Sequence, residues 1–268
     1  MSERCDPFSA PSMTACTQPS LQETSLRIVT PDQRLRLAPH VRACASDGQV
    51  ILLDLRNSQY LGVGSPQSGA LVDRVEGWPR SPGPMCDSAT ATTANQLVAS
   101  LLARGLLTHT SSKQPPHAQV GDVTASLDAE DKSPNVDIGA RRLARFFRSA
   151  LVTTWWMRCR SLQAIATAVQ ERRDRLQRSG SDSSALDSAR AGAAAYERLR
   201  PFVLTAHENC LHDSLALVGF LASEGVFPRW VVGVKTRPFG AHSWVQMGST
   251  VLNDQHGTVR QFRPILVV

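Results

Sequence analysis

The sequence lacks several features that would place a protein in a common class. It has no run of eighteen apolar residues, so it predicts no membrane-spanning helix and no stable membrane association. Its opening residues, Met-Ser-Glu-Arg-Cys-Asp-Pro, are not followed by the apolar segment of a secretory signal. No internal repeat and no phosphate-binding loop occur, and Gly62-x-Gly64 lacks the third glycine of a dinucleotide-binding motif. The residues therefore give no support for a nucleotide site.

Cysteine occurs six times, at positions 5, 16, 44, 86, 159 and 210, without Cys-x-x-Cys or another metal-ligand spacing. His207-Glu208 resembles the start of a zinc-protease helix, but the second histidine, His212, comes five residues later instead of four. The sequence therefore predicts no metal and no required cofactor. A working thiol, argued below for Cys210, favours a reducing location, which we expect to be the cytoplasm.

The 268 residues leave room for two small domains. Residues 1–25 are rich in Ser, Thr, Pro and Gln, which is typical of disorder. A second stretch of low hydrophobicity, from Thr108 to about Asp137, predicts a linker. We therefore expect an α+β protein with four parts: 1–25 a disordered N-terminus, 26–110 an N-terminal domain, 111–138 a linker, and 139–268 a C-terminal domain.

The positive charge of the chain is concentrated between residues 141 and 178. This stretch has ten arginines against Glu171 and Asp174, a local net charge of +8, whereas the whole chain carries +6. A solvated helix face explains such a pattern, and a docking surface for an acidic partner is the functional alternative. No exposed aromatic set is evident from the sequence to favour lipid, and residues 41–107 contain no Lys, so neither lipid nor nucleic acid is an expected partner.

Three residues near the C-terminus stand in an order that suits nucleophilic catalysis. Cys210 is followed after 32 residues by His242, and His242 after 12 residues by Asp254. An imidazole can deprotonate a thiol, and a carboxylate can orient the imidazole. His207 and His212 flank the cysteine and could compete as the base. Only His242, however, lies in a strand that is followed by another strand with a carboxylate.

The local patterns predict where the three residues lie. Asn209 suits an N-cap and Gly225 a C-terminal stop, so Cys210 is expected in the first turn of a helix, whose dipole stabilises a thiolate. Two strands should follow, Trp230 to Lys235 and one opening at His242, before a turn and a return through Asp254. Since side chains alternate along strands, we expect an odd-numbered loop, 248–250, or a bulge, to put Asp254 on the face of His242.

The N-terminal domain reads as three strands followed by helices. The strands are expected at 41–45, 50–56 and 59–63, and helices at 69–75 and 95–103. The N-terminal domain has no recognisable pattern of catalytic residues, which favours a binding role.

A helix carrying Cys and two strands carrying His and Asp resemble the papain and transglutaminase-like fold, a helix packed on an antiparallel sheet. More specifically, Cys-Leu-x-x-Ser-Leu-Ala-Leu at 210–217, Ala-His-Ser-Trp-Val at 241–245 and Val-Leu-Asn-Asp at 251–254 resemble the lasso-peptide B proteins. These are cysteine proteases that remove the leader of a ribosomally made precursor peptide. The resemblance implies that Cys210 is the nucleophile, His242 the base and acid, and Asp254 the orienting group. His212-Asp213 departs from the expected pattern beside the nucleophile.

The motif Leu-Leu-Asp-Leu-Arg-x-x-x-Tyr-Leu-Gly at 52–62 resembles the PqqD-like recognition element that is fused to many such proteases, a winged-helix-type domain. This resemblance implies that the leader pairs along the third strand, beside the last helix. The leader-binding candidates are Gln59, Tyr60, Leu61, Leu97 and Leu101. A small packing domain with no binding role is the alternative.

The predicted function is leader peptidase of lasso-peptide maturation. The resemblance also implies an asparagine-synthetase-like macrolactam synthetase as a partner beside the precursor peptide, and a dependence of leader removal on ATP. A transglutaminase or amide-ligating acyltransferase could use the same three residues, because both reactions begin with a thioester. A non-catalytic peptide-binding scaffold is the third possibility.

Overall fold

The computed structural model describes residues 35–80, 88–109, 120–127, 138–177, 185–202 and 210–268. The predictions for 1–25, for most of the linker, and for His207 and Asn209 lie outside these residues. Arg34–Val268 form one structural unit, and the predicted domain boundaries stay a prediction. None of the described helices combines the length and apolar character needed to cross a membrane.

The N-terminal part consists of short strands and two helices. Its elements are β1 (Leu35–Leu37), β2 (Val41–Ser46), β3 (Gln49–Asp54), β4 (Gln59–Val63), α1 (Ser65–Gly69), β5 (Val75–Glu76), α2 (Ser88–Ala103) and β6 (Leu107–Thr108). Strands β2, β3 and β4 form an antiparallel sheet in that order, and β1 lies between β5 and β6 in a second sheet. The three predicted strands and the helix over 95–103 are confirmed.

The helix predicted over 69–75 is wrong. The helix in this region is α1, which ends at Gly69, and Val75 pairs with Leu35 in a parallel strand contact. Pro66 at the beginning of α1 has a backbone angle suited to a first helical turn, which favours the earlier start. The three-strand sheet does not by itself establish a winged-helix-type domain, which therefore stays part of the proposal below.

Strand β3 is buried on both faces because its sequence is an almost continuous apolar run. Val50 and Leu52 pack in a core within the N-terminal part, together with Leu101 of α2. Ile51 and Leu53 face the other way and belong to the core of the C-terminal part. The N-terminal sheet is therefore packed between two cores, and it shares one of them with the C-terminal part.

The C-terminal part has helices before its main sheet. Its elements are β7 (Ala125–Ser126), α3 (Ala140–Cys159), α4 (Leu162–Gln177), α5 (Ala185–Leu199) with a 3₁₀ turn at Arg200–Phe202, α6 (Cys210–Ser223), β8 (Arg229–Thr236), β9 (Phe239–Met247), β10 (Thr250–Val251), α7 (His256–Val259) and β11 (Arg263–Val267). The strand order is β11-β8-β9-β10-β7. Strand β7 lies inside the predicted linker 111–138 and pairs in parallel with β10, so the described part of that segment belongs to the sheet.

Helix α6 is packed against this sheet and is buried on most sides. Leu215 and Val218 pack with Val232 and Val245 of the sheet in one core. The helix ends as predicted at Gly225, whose φ of 86° is a left-handed conformation. The Val226 N–H donates to the Leu221 carbonyl at 3.0 Å, which is the long hydrogen bond of a Schellman ending. This end fixes the length of the helix that begins at Cys210.

Candidate active site

Cys210 is the first residue of α6 and its thiol is half-buried. The backbone N–H groups of Ser243 and Leu211 both hydrogen-bond to its sulfur. These donors favour the charged form of the sulfur, as does the positive end of the helix dipole. Packing α6 against β9 is therefore what brings the sulfur within reach of Ser243 and of His242, its neighbour along the strand.

His242 lies between Cys210 and Asp254. Its Nε2 atom is 2.5 Å from Oδ2 of Asp254. With Nε2 held in this way, Nδ1 is the ring nitrogen left for the hydrogen bond between His242 and the thiol. The other oxygen of Asp254, Oδ1, accepts the backbone N–H of Gln255 at 2.6 Å. The structure thus brings together the three residues that the sequence predicts.

The electrostatics of the three residues favour a thiolate beside an imidazolium. The hydrogen bond to Asp254, followed by that to Cys210, raises the pKa of His242 to about 9. The hydrogen bond from His242 lowers the pKa of the Cys210 thiol, although burial opposes the shift. Burial also raises the pKa of Asp254, but hydrogen bonds from His242 and Gln255 outweigh it and leave that pKa below its ordinary value. A thiolate of this kind is the reactive form of cysteine.

The predicted odd-numbered turn before Asp254 is wrong. Met247 pairs with Thr250, and Gly248-Ser249 is therefore a two-residue loop with Gly248 at a φ of 60°. The ladder stops soon afterwards: Leu252 still donates to the Val245 carbonyl at 2.8 Å, but the Val245 N–H donates to the side chain of Asn253. Since residues 252–254 bend away from the strand, alternation no longer decides where Asp254 points. This is how it reaches His242.

Asn253 anchors the segment that carries Asp254. Its Oδ1 atom accepts the Val245 N–H at 2.8 Å, and its Nδ2 atom donates to Ser214 Oγ at 3.1 Å. Ser214 Oγ in turn donates to the Ser243 carbonyl at 2.8 Å. Asn253 therefore ties the segment to both α6 and β9. Its side chain is engaged in these contacts, away from the position that Asp254 occupies at His242.

Asp213 is a buried carboxylate beneath the site, with 5% of its surface exposed. It accepts a hydrogen bond from Tyr196 at 3.2 Å, and Arg200 Nε lies 3.3 Å from the same oxygen. Burial raises the pKa of Asp213, while Arg200 opposes the shift. The sequence motif marks Asp213 only as a departure beside the nucleophile and does not indicate its buried contacts with Tyr196 and Arg200. The sequence feature that could have indicated a buried role for Asp213 is a carboxylate next to Ser214 in an otherwise apolar helix.

The competing histidines do not replace His242 in the described part of the chain. His212 points towards α3, where its Nε2 atom is 2.9 Å from Thr154 Oγ1, and burial lowers its pKa. His207 lies outside the described residues. No group of three His, Cys, Asp or Glu side chains in the described ranges could hold a metal ion.

Aromatic rings surround the candidate site. The His242 ring packs against Phe262 with centroids 5.1 Å apart, and it stacks on Trp244 at 6.3 Å. On the side of the N-terminal part, Tyr60 contacts Phe239 edge-on, with centroids 5.6 Å apart. Burial, and then the charge of Cys210, raises the pKa of Tyr60, which therefore lies near the thiol.

The leader-binding candidates lie in and beside β4. Gln59 is exposed and Tyr60 and Leu61 are half-buried. Leu97 of α2 packs at the edge of the same core as Leu61, whereas Leu101 is completely buried inside it. A groove of about 350 Å³ runs beside β4 and is lined by Gln59, Tyr60, Leu61 and Arg104, among others.

Comparison with known proteins agrees with this geometry. Residues 157–267 match the family described as the Transglutaminase-like superfamily, a range that contains Cys210, His242 and Asp254. This part of the chain is a transglutaminase-like domain. The chain is also similar to the "Microcin J25-processing protein McjB" of Escherichia coli, with 46% identity over 46 residues. That alignment covers 17% of this chain and 22% of the relative, so the chain spans under a quarter of that protein in the match. No solved structure matches.

These matches confirm the predicted resemblance to lasso-peptide B proteins. The transglutaminase-like domain is mixed α/β, with α6 on the antiparallel pair β8–β9, as the sequence predicts for this part. The PqqD-like character of the N-terminal part has no counterpart in the matches.

Proposed function

We propose that this protein is the leader peptidase of a lasso-peptide pathway. In this proposal Cys210 attacks the carbonyl carbon at the junction of leader and core, and the bond to the departing amine breaks. His242, as an imidazolium, donates its proton to that amine. Water then attacks the thioester with His242 as the base, which releases the leader acid and restores the thiol.

One observation supports this proposal above the others: His242 hydrogen-bonds both Cys210 and Asp254, and their charges favour a thiolate–imidazolium pair. A vestigial site would have no need to keep these contacts. Peptide processing is supported in addition by the similarity to the Microcin J25-processing protein of Escherichia coli.

We assign leader capture to the N-terminal part, as a PqqD-like element. In the described sheet β4 pairs with β3 along one side, and its other side is open to an added strand. The groove beside β4 supplies room for side chains, and Arg104 at its wall suits an acidic leader residue. Because Leu101 is buried, we place direct contacts on Gln59, Tyr60, Leu61 and Leu97.

The closeness of Tyr60 to Cys210 supports delivery of the substrate along the surface of one unit. A peptide paired with β4 would pass Tyr60 and Phe239, whose rings are in contact, on its way to the thiol. Such a path holds the scissile bond near Cys210 and raises its effective concentration there.

The proposed partners follow from the same assignment. The freed core would pass to an asparagine-synthetase-like macrolactam synthetase, which closes its N-terminus onto an acidic side chain. An ATP requirement has no phosphate loop in this chain to support it, so we assign nucleotide binding to a partner or to another surface. Cys44, Cys159 and Cys210 are free thiols, which supports action in the cytoplasm.

The test uses a short precursor peptide encoded beside this gene, incubated with the full chain and analysed by mass spectrometry. We expect leader and core fragments whose masses sum to the precursor plus one water, and no fragments with Cys210→Ala. Products joined through a new amide bond would instead support an acyltransferase. Binding without any product, in the wild type and in the variant alike, would support a scaffold.

A further inference from the structure

A cavity of about 80 Å³ lies between α3, α4 and α6. Its wall is mainly apolar and includes Val152, Trp156, Leu215 and Ala222. The polar Ser149 in the wall already donates to the Ala216 carbonyl at 2.7 Å. A mainly apolar cavity holds an apolar group better than it holds water.

Three guanidinium groups stand around this cavity, those of Arg148, Arg172 and Arg173. No carboxylate is among the described residues that line it. Burial and the neighbouring charges of Arg148 and Arg175 lower the pKa of Arg172. Asp174 lies close enough to Arg173 to oppose the fall in the pKa of that residue, which burial lowers to about 10. Positive charge is therefore gathered at the edge of an apolar space, where an anion would reduce the repulsion.

We infer that this cavity binds a small organic anion with a short apolar chain. The chain would enter between Trp156, Leu215 and Ala222, and the acid group would lie against Arg148 and Arg172. The volume suits a chain of a few carbons. Both parts of the ligand are needed, since Arg148 is exposed and Arg172 is only half-buried, so the two hold an inorganic anion only weakly.

This site is separate from the candidate active site. The cavity touches α6 from Leu215 to Ala222, whereas Cys210 begins the helix. The inference does not depend on the proposed peptidase function, and failure of either leaves the other unaffected.

The test compares two probes that differ only in the acid group: 5,5,5-trifluoropentanoate and 5,5,5-trifluoropentan-1-ol. Each is titrated against the full chain and followed by ¹⁹F NMR. We expect the acid to bind at least about fivefold more tightly than the alcohol, the size of effect that partly exposed charges give. In the double variant Arg148→Gln/Arg172→Gln the two probes should bind equally. Arg158→Gln, an exposed arginine on α3 away from the cavity, should behave as the wild type.

A second variant tests the apolar part of the site. Ala222→Leu fills the cavity and should remove binding of both probes, with a thermal melt to confirm that the variant folds. If the wild type binds neither probe, the inference is wrong. It is also wrong if the acid binds the double arginine variant as tightly as it binds the wild type.

Discussion

At the scale of single residues, the candidate site depends on one carboxylate that keeps a histidine charged. Asp254 lies at the end of a segment without regular structure, and Asn253 beside it supplies the anchors. The raised pKa of His242 and the lowered pKa of Cys210 both depend on this arrangement. Experiments should therefore distinguish the two neighbouring side chains: Asp254 acts through its charge, and Asn253 acts by holding Asp254 in position.

Replacing Asp254 by Asn should lower the rate of leader removal by about 10²–10⁴-fold, as in other triads. In the wild type the imidazolium loses its proton as the pH rises through about 9, so activity should fall there. The variant loses the hydrogen bond that raises this pKa, so its fall should come at lower pH. The rate of Cys210 alkylation by iodoacetamide, measured against pH, should show the thiolate forming at higher pH than in the wild type.

Asp187→Asn is the matched control, because this carboxylate lies on α5 with 82% of its side chain exposed. Its profile should equal that of the wild type. Wild-type rates for Asp254→Asn would remove Asp254 from the site.

Asn253→Ala should keep the Asp254 carboxylate but hold it less firmly in place. The variant loses the bonds to Val245 and Ser214, so Asp254 should spend less time at His242. We expect kcat to fall by about tenfold, with KM little changed and the alkylation profile shifted in the same direction as for Asp254→Asn. A lower melting temperature with an unshifted profile would mean that Asn253 is only structural.

At the scale of elements, the site depends on how α6 and β8 end and pack. Helix α6 is buried on most sides because α3 and α5 cover what the sheet does not. Its Schellman ending was readable from Gly225. The close approach of β8 to its neighbours could not be predicted from the sequence, because nothing around Gly233 shows which aromatic ring will lie over it.

Gly225→Ala should destabilise the protein by about 1–2 kcal/mol, because the left-handed conformation is unfavourable for a residue with a Cβ atom. Space is not the cause, as no atom lies within 4 Å of the added carbon. Gly121→Ala is the control: its surroundings are equally open, but its φ lies outside the left-handed region. Chemical denaturation of both variants should show a loss only at Gly225. An equal loss at both sites would contradict the explanation.

Gly233→Ala should disturb the candidate site by displacing the aromatic rings that pack against His242. The added carbon would lie 2.7 Å from two atoms of the Trp244 ring and 2.9 Å from Phe262 Cβ. Both residues pack against His242, so a displaced Trp244 should shift the imidazole. We expect a cost of about 1–3 kcal/mol in stability together with slower alkylation of Cys210. A stable variant with normal alkylation would show that the strand yields without moving the rings.

At the scale of the whole molecule, sequence motifs predicted the three candidate site residues and the kinds of element that carry them. Cys, His and Asp could be found because each lies in a short pattern with its own secondary-structure signal. The course of the chain that brings Asp254 to His242 could not be predicted. It depends on the side chain of Asn253, which takes the place of a backbone carbonyl in the strand ladder. The strand at 125–126 was also missed, because its two residues pair with a distant segment and have no apolar alternation.

Cys210→Ala should leave precursor binding intact while it abolishes leader removal, because the proposed capture surface lies on β4. Fluorescence anisotropy of a labelled precursor should give an unchanged Kd for the full-length variant. Gly62→Pro should weaken binding severalfold, because the register directs the Gly62 N–H to the open edge of β4, whereas the N–H groups of Gln59 and Leu61 point to β3. A precursor that binds Gly62→Pro normally would move the capture site elsewhere.

The shared core has a consequence for how such proteins can be recombined. Ile51, Leu53 and Leu55 of the N-terminal part pack with Phe146 and Ile165 of the helices that follow, and the Gln163 N–H donates to the Leu55 carbonyl at 2.8 Å. Exchanging the first hundred residues for those of a relative, to redirect the enzyme to a new precursor, would therefore cut through a packed interior. A chimera should fold only if the residues at these contact positions are transplanted together, so new leader specificity is better sought by substitutions along β4.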